Sequence, residues 1–411
     1  MKYLQFLIVF VFITIFPISS FGITKHAVIL VMDGARYTET FGDSTRANIP
    51  KISALASEGT LLSNFYTAKT GSIAESWTET NPGHARITTG TYQNISNDGT
   101  QLPTQPSIFQ HYRKQTSAPA TKAWVICSKD KLKILANSSA TGWYNQYQPS
   151  MNCGVNGDGT GGYRADNLTH AIVKQKLTSD RPALMIINYA GPDSKGHAND
   201  WNGYLAAIKE VDGYADDLWK TIQADDSLKN TTALFIVNDH GRHTNNWTSH
   251  GDNCMGCRHV MCVILGPDIK SGFIDTITRE QIDLAPTIAN MMGFAIPTAT
   301  GIVMNEIFKP ITFVRRDNKT SYFSIMLEKI TVTLGNNRNI MFSHLPSDVT
   351  KIEIFNGLGH RVANVAVDPL LKTAVWNTIT TSGANVASGH YICKVTSTHI
   401  GTVLVPANVP W

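Results

Sequence analysis

Acidic residues and histidines occur together at several points of the chain, each just after a stretch with buried-strand character. Asp193 precedes His197, Asp239 is followed directly by His240, and His250 follows a polar loop. Carboxylate and imidazole groups are the ligands that zinc and related ions take in proteins. The sequence therefore predicts a metal site with six ligands, namely Asp33, Asp193, His197, Asp239, His240 and His250.

The spacing within these pairs indicates how they bind. Asp193 and His197 are four residues apart, so one helical turn presents both to one ion. Asp239 and His240 are adjacent, and neighbours in an extended segment point to opposite sides, which suits bridging two ions. A single Asp–His pair also fits a solvated turn, but four such elements in order favour a metal cluster.

A hydroxyl nucleophile is available in the segment Thr80-Asn81-Pro82-Gly83-His84. Threonine is a poor nucleophile at neutral pH and needs a cation to hold it as an alkoxide, which a two-metal cluster supplies. Pro82 suits the first turn of a helix through residues 85–88, so Thr80 would stand near amide groups that favour an anion. A threonine that only caps this helix has the same signature, and both interpretations stay open.

Apolar runs alternate with amphipathic helical patterns, which predicts an α/β fold with a mostly parallel sheet between helices. One clear helix has apolar residues at 204, 208, 211, 218 and 222, and another covers 283–292. The expected strands are residues 26–32, 123–127, 183–189, 233–237 and 260–265. Sites in such sheets lie at the carboxyl ends of strands, where Asp33, Asp193, Asp239, Lys129 and Lys131 all fall.

Past Ile307 the helical periodicity stops and short strand-like runs follow, which predicts a small C-terminal β-sandwich. The N-terminus has the charge, apolar core and small-residue order of a signal peptide, with an apolar run shorter than a spanning helix needs. The predicted organisation is a signal peptide at 1–22, a metallohydrolase domain at 23–310 and the sandwich at 325–411. No later segment is apolar enough to span a bilayer, so the predicted location is exported: periplasmic, secreted or at the cell surface.

Composition narrows the class of partner. The formal net charge is +4 over 411 residues with no run of Lys or Arg, which gives no argument for nucleic acid binding and favours a small-molecule substrate. Among the six cysteines, Cys254 and Cys257 could close a small disulfide loop beside His250. A zinc knuckle at this pair is disfavoured, because no second Cys pair lies at finger spacing.

The ordered set of Asp33, Thr80 and the five later ligands resembles the alkaline phosphatase superfamily. It is most similar to the threonine-nucleophile branch, which comprises phosphate-irrepressible alkaline phosphatases and nucleotide pyrophosphatase/phosphodiesterases, over residues 25–308. The resemblance implies one metal held by Asp193, His197 and His250, and another held by Asp33, Asp239 and His240. It further implies that Thr80 attacks phosphorus to give a phosphothreonine, which water hydrolyses. Zinc is the expected ion at both positions, with manganese or iron as alternatives.

The same resemblance bears on specificity. Diesterases of this branch usually have Asn where this chain has Gly83, and monoesterases have an Asn and a Lys-Asp-Arg segment, to which Asn97 and the segment Lys129-Asp130-Lys131 are similar. We therefore predict that Asn97, Lys129 and Lys131 bind a phosphate monoester, with a phosphodiesterase as the alternative. Lys131 replaces the family arginine and loses bidentate geometry. A solvated loop at 129–133 is the alternative for the lysines.

Other branches of the superfamily fit less well. Sulfatases need Cys or Ser followed two residues later by Pro and then Arg, whereas here Thr80 precedes Pro82 and Gly83. Independent phosphoglycerate mutases use a serine nucleophile and remain in the cytoplasm, so Thr80 and the predicted signal peptide argue against that branch.

A function without catalysis is a further alternative. The segments 351–362 and 387–391 resemble sandwich domains of exported bacterial proteins, including secretion sorting domains, which would imply contact with secretion machinery or the cell surface. The non-catalytic alternative is an exported binding protein in which the metal site has decayed and the sandwich is the working part.

Overall fold

The computed structural model describes residues 24–68, 77–309, 331–334, 338–345, 347–357, 359–368, 370–397 and 401–409. The predicted signal peptide and the predicted boundary between residues 310 and 325 lie outside these ranges. Within them, no helix combines the length and the apolar character that a membrane span requires.

Strands are present at all five positions expected from the apolar runs of the first domain, and five further short strands there were not predicted. In chain order they are β1 His26–Met32, β2 Thr60–Leu62, β3 Phe65–Tyr66, β4 Ala123–Cys127, β5 Ser150–Cys153, β6 Leu184–Tyr189, β7 Thr232–Val237, β8 Cys262–Leu265, β9 Phe273–Asp275, β10 Arg279–Glu280, β11 Thr331–Leu334, β12 Ile340–Ser343, β13 Lys351–Asn356, β14 Arg361–Ala366, β15 Ala374–Trp376, β16 Gly389–Ser397 and β17 Gly401–Val409.

Eight α-helices accompany these strands in the described part of the chain. They are α1 Pro50–Ala56, α2 Thr80–Thr89, α3 Ile108–Thr116, α4 Asp166–Ser179, α5 Gly191–His197, α6 Trp201–Ala224, α7 Met255–Arg258 and α8 Leu284–Met292. Helix α8 ends at Met292 and is capped by Gly293 in the left-handed conformation, which is the capping role that a glycine directly after the predicted helix 283–292 suggests. A short 3₁₀ helix, Asp130–Ala136, follows β4.

Eight strands form the central sheet in the order β5-β4-β6-β1-β7-β8-β2-β9. The five from β5 to β7 are mutually parallel, whereas β8 runs antiparallel to both of its neighbours. Alternate residues of β1 face two separate apolar cores, one on each side of the sheet, which explains why the run is apolar at every position. The predicted α/β class with a mostly parallel sheet is confirmed.

Two antiparallel sheets, β11-β12-β15 and β14-β13-β16-β17, make up the C-terminal part and share a third apolar core around Trp376 and Phe342. The strand-like runs expected from the sequence in this part are residues 330–334, 351–355, 362–367, 373–376 and 391–395, and five of the observed strands overlap them. Strands β12 and β17 were not anticipated.

Candidate active site

The carboxyl ends of four parallel strands bring the candidate residues to one edge of the sheet. Asp33 follows β1, Lys129 follows β4, and Asp239 follows β7. Asp193 lies in α5 immediately after β6. Thr80 begins α2, which approaches the same edge, and all five residues are buried. The structure therefore gathers side chains that are up to 206 positions apart in sequence.

Thr80 is the first residue of α2, and Glu79 occupies the N-cap position. The interpretation of Thr80 as only an N-cap is therefore wrong. Its Oγ1 accepts a hydrogen bond of 3.0 Å from Lys129 Nζ and lies 3.4 Å from His240 Nε2. The hydroxyl thus points into the cluster of charged residues rather than toward the amides of its own helix.

Lys129 stands at the centre of the cluster. Its Nζ donates to Asp33 Oδ1 at 2.9 Å and to Asp193 Oδ2 at 2.6 Å, and its side chain is 1% exposed. The solvated-loop alternative is therefore wrong for this residue. Burial alone would lower the pKa of Lys129, but the carboxylates of Asp193 and Asp33 outweigh it and raise the pKa. The ammonium group balances the buried negative charge.

The first predicted ligand group is assembled in space. Nε2 of His197 and Nε2 of His250 lie 3.0 Å apart, and Asp193 Oδ1 is 3.3 Å from the former and 3.5 Å from the latter. Asp193 and His197 lie on one turn of α5, as their spacing predicts. Burial and the neighbouring His240 lower the pKa of His250 to about 2, so this imidazole is neutral, as a ligand must be.

The second predicted group is also close together. His240 Nε2 lies 3.6 Å from Asp33 Oδ1 and 3.5 Å from Asp239 Oδ2. The expectation that Asp239 and His240 point to opposite sides is wrong, because the chain bends at Asp239 after β7 ends and both side chains turn into the cluster. Burial and the nearby Asp239 charge raise the pKa of Asp33.

The hydrogen bonds around the two buried imidazoles orient them for metal binding. Nδ1 of His240 is 2.8 Å from the Gly241 carbonyl oxygen, and Nδ1 of His250 is 3.0 Å from that of Thr78. A carbonyl oxygen only accepts, so Nδ1 carries a proton in both rings and Nε2 is the nitrogen that faces the cluster. A backbone carbonyl that holds the other ring nitrogen in this way is typical of metal-binding histidines.

One buried carboxylate oxygen would be better satisfied by a metal ion than by the protein groups around it. Oδ2 of Asp239 is buried and accepts no hydrogen bond from the described residues. Its nearest polar partners, His84 Nδ1 and His240 Nε2, lie 3.3 and 3.5 Å away. A buried carboxylate oxygen without a hydrogen bond is costly, and a cation beside it removes the cost. Together with the imidazole Nε2 atoms, this oxygen makes the Asp/His cluster a site that could hold a metal ion.

His84 and Asn188 belong to the cluster, but the sequence analysis predicted no role for either residue. His84 Nδ1 lies 2.8 Å from the Thr80 carbonyl oxygen and 3.3 Å from Asp239 Oδ2. Asn188 Nδ2 donates to Asp33 Oδ2 at 2.7 Å and to His84 Nε2 at 3.2 Å. Both ring nitrogens of His84 are engaged, so it orients ligands instead of binding metal. Its position four residues after Thr80 was the available signal.

Arg242, two residues after His240, was also missed. It is fully buried, contacts Asp193 Oδ1 through Nη1, and donates to the carbonyls of Trp247 and Thr248. The residue therefore ties the loop that leads to His250 to the carboxylate of Asp193.

Gly34 permits this close arrangement. Its φ is +68°, and a Cβ there would lie 2.7 Å from Asp193 Oδ1.

The remaining predicted substrate residues lie beside the cluster. Lys131 Nζ donates to Asn97 Oδ1 and to its carbonyl oxygen, both at 2.9 Å, and Asn97 Oδ1 also accepts from the Asn81 amide at 3.0 Å. One of the α2 amides expected to face an anion is therefore already bonded. Lys133 is exposed, and its Nζ donates to the Gly159 carbonyl.

At Gly83, where diesterases of the resembling branch usually have Asn, a Cβ would lie 2.4 Å from the Asp239 carbonyl oxygen. Helix α2 packs on the metal-site segment too closely to admit any side chain here.

The chain belongs to the sulfatase family, whose model matches residues 25–294. This family is part of the alkaline phosphatase-like superfamily, whose members are metal-dependent hydrolases or transferases of phosphoryl and sulfuryl groups. The match covers every residue of the cluster, and it supports the assignment of this protein as an enzyme.

Curated relatives match only in part. A 2,3-bisphosphoglycerate-independent phosphoglycerate mutase from Haloquadratum walsbyi is 28% identical over 176 residues, which cover 42% of this chain and 31% of the relative. GPI ethanolamine phosphate transferase 2 from Schizosaccharomyces pombe is 27% identical over 195 residues, covering 44% of this chain and 25% of the relative. The chain thus spans about a third or less of the length of these relatives.

Among solved structures, a phosphonate monoester hydrolase from Silicibacter pomeroyi superimposes with a TM-score of 0.51 at 13% identity. The match covers 94% of this chain and 89% of that one. At this identity the likeness shows the fold, and it agrees with the architecture described above.

Proposed function

We propose that this protein is an exported two-metal phosphomonoesterase with Thr80 as its nucleophile. The observation that carries the proposal is a buried threonine hydroxyl beside a cluster of three carboxylates and three histidines. In this cluster Asp239 Oδ2 accepts no hydrogen bond, and the Nε2 atoms of His197, His240 and His250 each lie within 3.6 Å of a carboxylate oxygen. Such a set has ligands for two ions and a nucleophile between them. A decayed site in a binding protein would not need this arrangement.

In this proposal Asp193, His197 and His250 hold one zinc ion, and Asp33, Asp239 and His240 hold the other. When bound, the ions stabilise the alkoxide of the nucleophile and the charge on the phosphate oxygens. Thr80 Oγ1 loses its proton to water and attacks phosphorus, the ester P–O bond breaks as the P–Oγ bond forms, and the leaving oxygen takes a proton from water and departs as the alcohol. Water then hydrolyses the phosphothreonine and restores the hydroxyl.

A phosphoryl substrate is favoured over a sulfuryl one, although the family takes its name from sulfatases. The segment from Thr80 to Gly83 has Thr where the sulfatase nucleophile segment has Cys or Ser, and Gly where that segment has Arg. Two lysines near the nucleophile suit a phosphate monoester, which carries one more negative charge than a sulfate ester. Both curated relatives also have a phosphate compound in their names.

A monoester is favoured over a diester because of the positive charges of Lys129 and Lys131. Lys129 Nζ contacts Thr80 Oγ1 directly, and Lys131 is joined to Asn97 one layer farther out. A monoester dianion can accept a charge-assisted hydrogen bond from Lys131, which contributes about 1.5 to 3 kcal/mol. Lys129, whose three N–H groups contact Asp33, Asp193 and Thr80, adds positive charge beside the phosphate. A diester presents one charged oxygen fewer and gains less.

Substrate preference tests this proposal. We expect the zinc-loaded protein to hydrolyse p-nitrophenyl phosphate with a higher kcat/KM than bis-p-nitrophenyl phosphate. Lys129→Ala and Lys131→Ala should each lower kcat/KM for the monoester about 10- to 100-fold, and for the diester by less. Lys133→Ala is the matched control and should change neither value. Equal losses on both substrates would contradict the lysine roles, and a diester preference would place the protein with the phosphodiesterases.

The pH dependence of Lys131 gives a second test. Burial, together with the neighbouring Lys129 charge, lowers the pKa of Lys131 to about 8. The ammonium form is present below this pH and is lost above it, so kcat/KM for a monoester should fall as pH rises through about 8. Lys131→Arg keeps its charge and should move this fall to higher pH. If kcat/KM of the Lys131→Arg variant fell at the same alkaline pH as that of the wild type, Lys131 would not be the group that binds phosphate.

The remaining parts of the proposal concern location and organisation. The proposed export depends on the signal-peptide pattern at 1–22, and the proposed domains are 23–310 and 325–411. The C-terminal sandwich is proposed as a non-catalytic module for secretion or surface attachment. No nucleic acid partner is proposed.

A further inference from the structure

A second group of metal-binding residues lies outside the catalytic cluster, in the loop between β7 and β8. Ligand atoms of His243, Asp252, Cys254 and Cys257 all lie within 4.8 Å of one another. None of them is among the catalytic ligands. We propose that these four residues bind a structural zinc ion.

The distances between the ligand atoms are within a few tenths of an ångström of those around one small tetrahedral ion. His243 Nδ1 lies 3.0 Å from Asp252 Oδ2, 3.4 Å from Cys257 Sγ and 3.9 Å from Cys254 Sγ. Zinc bonds of about 2.0 to 2.3 Å in tetrahedral geometry place neighbouring ligand atoms about 3.3 to 3.8 Å apart. Four ligands that include two cysteines form a closed site, which is the structural rather than the catalytic type.

The surrounding contacts leave the ligand atoms available. Asp252 Oδ1 accepts from the Cys254 amide at 3.0 Å, so Oδ2 is the oxygen that faces His243. The two cysteines flank the first turn of α7, and both are free thiols in the structure. Cys257 is fully buried, whereas Asp252 lies at the surface. Zinc can enter from this open side, displacing the thiol protons.

The proposed zinc site would hold together the loop that carries His250, one of the proposed catalytic metal ligands. His250 lies between the ligands His243 and Asp252 in sequence, and its Nδ1 contacts the Thr78 carbonyl. Thr78 Oγ1 in turn donates to the Asp252 carbonyl at 2.7 Å. Backbone hydrogen bonds from Gly241 and Arg242 to the segment 256–257 complete the closure. A bound ion would therefore hold His250 in place from outside the active site.

Cobalt substitution tests the proposal, because the catalytic cluster contains no cysteine. Protein purified with reductant and loaded with Co²⁺ should show a thiolate-to-cobalt charge-transfer band, which the Asp/His cluster cannot produce. The band should disappear in Cys254→Ser and Cys257→Ser and persist in the control Cys393→Ser, which changes another buried thiol. It should also persist in Asp33→Asn, so failure of the catalytic metal site is distinguishable from failure of this one.

Zinc content gives a second measurement that does not depend on the folding of the serine variants. Titrating the two thiols of wild-type protein with a mercurial should release one equivalent of zinc to a chromogenic chelator. Absence of both the cobalt band and this zinc release in reduced wild-type protein would overturn the proposal. So would a Cys254–Cys257 disulfide that persists in the metal-loaded enzyme.

Discussion

Replacing Thr80 by alanine is expected to reduce phosphomonoester hydrolysis about 10⁴-fold or more while leaving bound metal unchanged. The proposed covalent step needs Oγ1, which lies between Lys129 Nζ and His240 Nε2. None of the six proposed ligands is altered by the substitution. The measurement is turnover of p-nitrophenyl phosphate, together with elemental analysis of metal content and acid trapping of labelled phosphoenzyme.

The chain offers a matched control in the same helix. Thr89 is buried in α2, and its hydroxyl donates to the Ala85 carbonyl instead of facing the cluster. Thr89→Ala should retain phosphoenzyme formation, and Thr80→Ser should retain part of it because a hydroxyl remains. Wild-type turnover in Thr80→Ala would remove this residue from the mechanism.

Replacing Asp193 by asparagine is expected to lower the free energy of unfolding of the metal-free protein by about 3 to 5 kcal/mol. Asp193 is the one carboxylate that contacts both Lys129 and Arg242, and its side chain is 5% exposed. The variant leaves two buried cations short of a partner, which is the costly way to break a buried ion pair. Urea denaturation after chelator treatment measures the effect.

Asp226 provides the comparison for that experiment. It pairs with Lys229 at the surface, and its side chain is 93% exposed. Asp226→Asn should change the free energy of unfolding by less than about 1 kcal/mol. The Asp193 variant should in addition lose metal from the group with His197 and His250. If both variants unfolded at the same urea concentration as wild type, Asp193 would not hold the charged cluster together.

Much of the site could be predicted because it follows from the sheet. A continuous apolar run marks a strand covered on both faces, and parallel strands bring their carboxyl ends to one edge. Asp33, Lys129 and Asp239 each follow such a run directly, so their proximity was predictable before any contact was known. The helical spacing of Asp193 and His197 likewise gave their shared face.

What could not be predicted depends on side-chain direction in irregular segments. The bend at Asp239, which turns its side chain and that of His240 into one cluster, has no sequence signature. The sequence disfavoured a zinc site at Cys254 and Cys257 because it has no second cysteine pair at finger spacing. The chain instead brings His243 and Asp252 to them through a loop, which spacing alone does not reveal.

The lysine at the centre of the cluster has a consequence for the order in which the enzyme matures. Strand β1 pairs with β6 and β7, about 150 to 200 residues away, so the site forms only after contacts of high sequence separation are made. Three carboxylates would then repel one another in the absence of metal. Lys129 supplies positive charge internally, so the carboxylates can be brought together without metal, and the proposed ions would then bind to a site that is already folded.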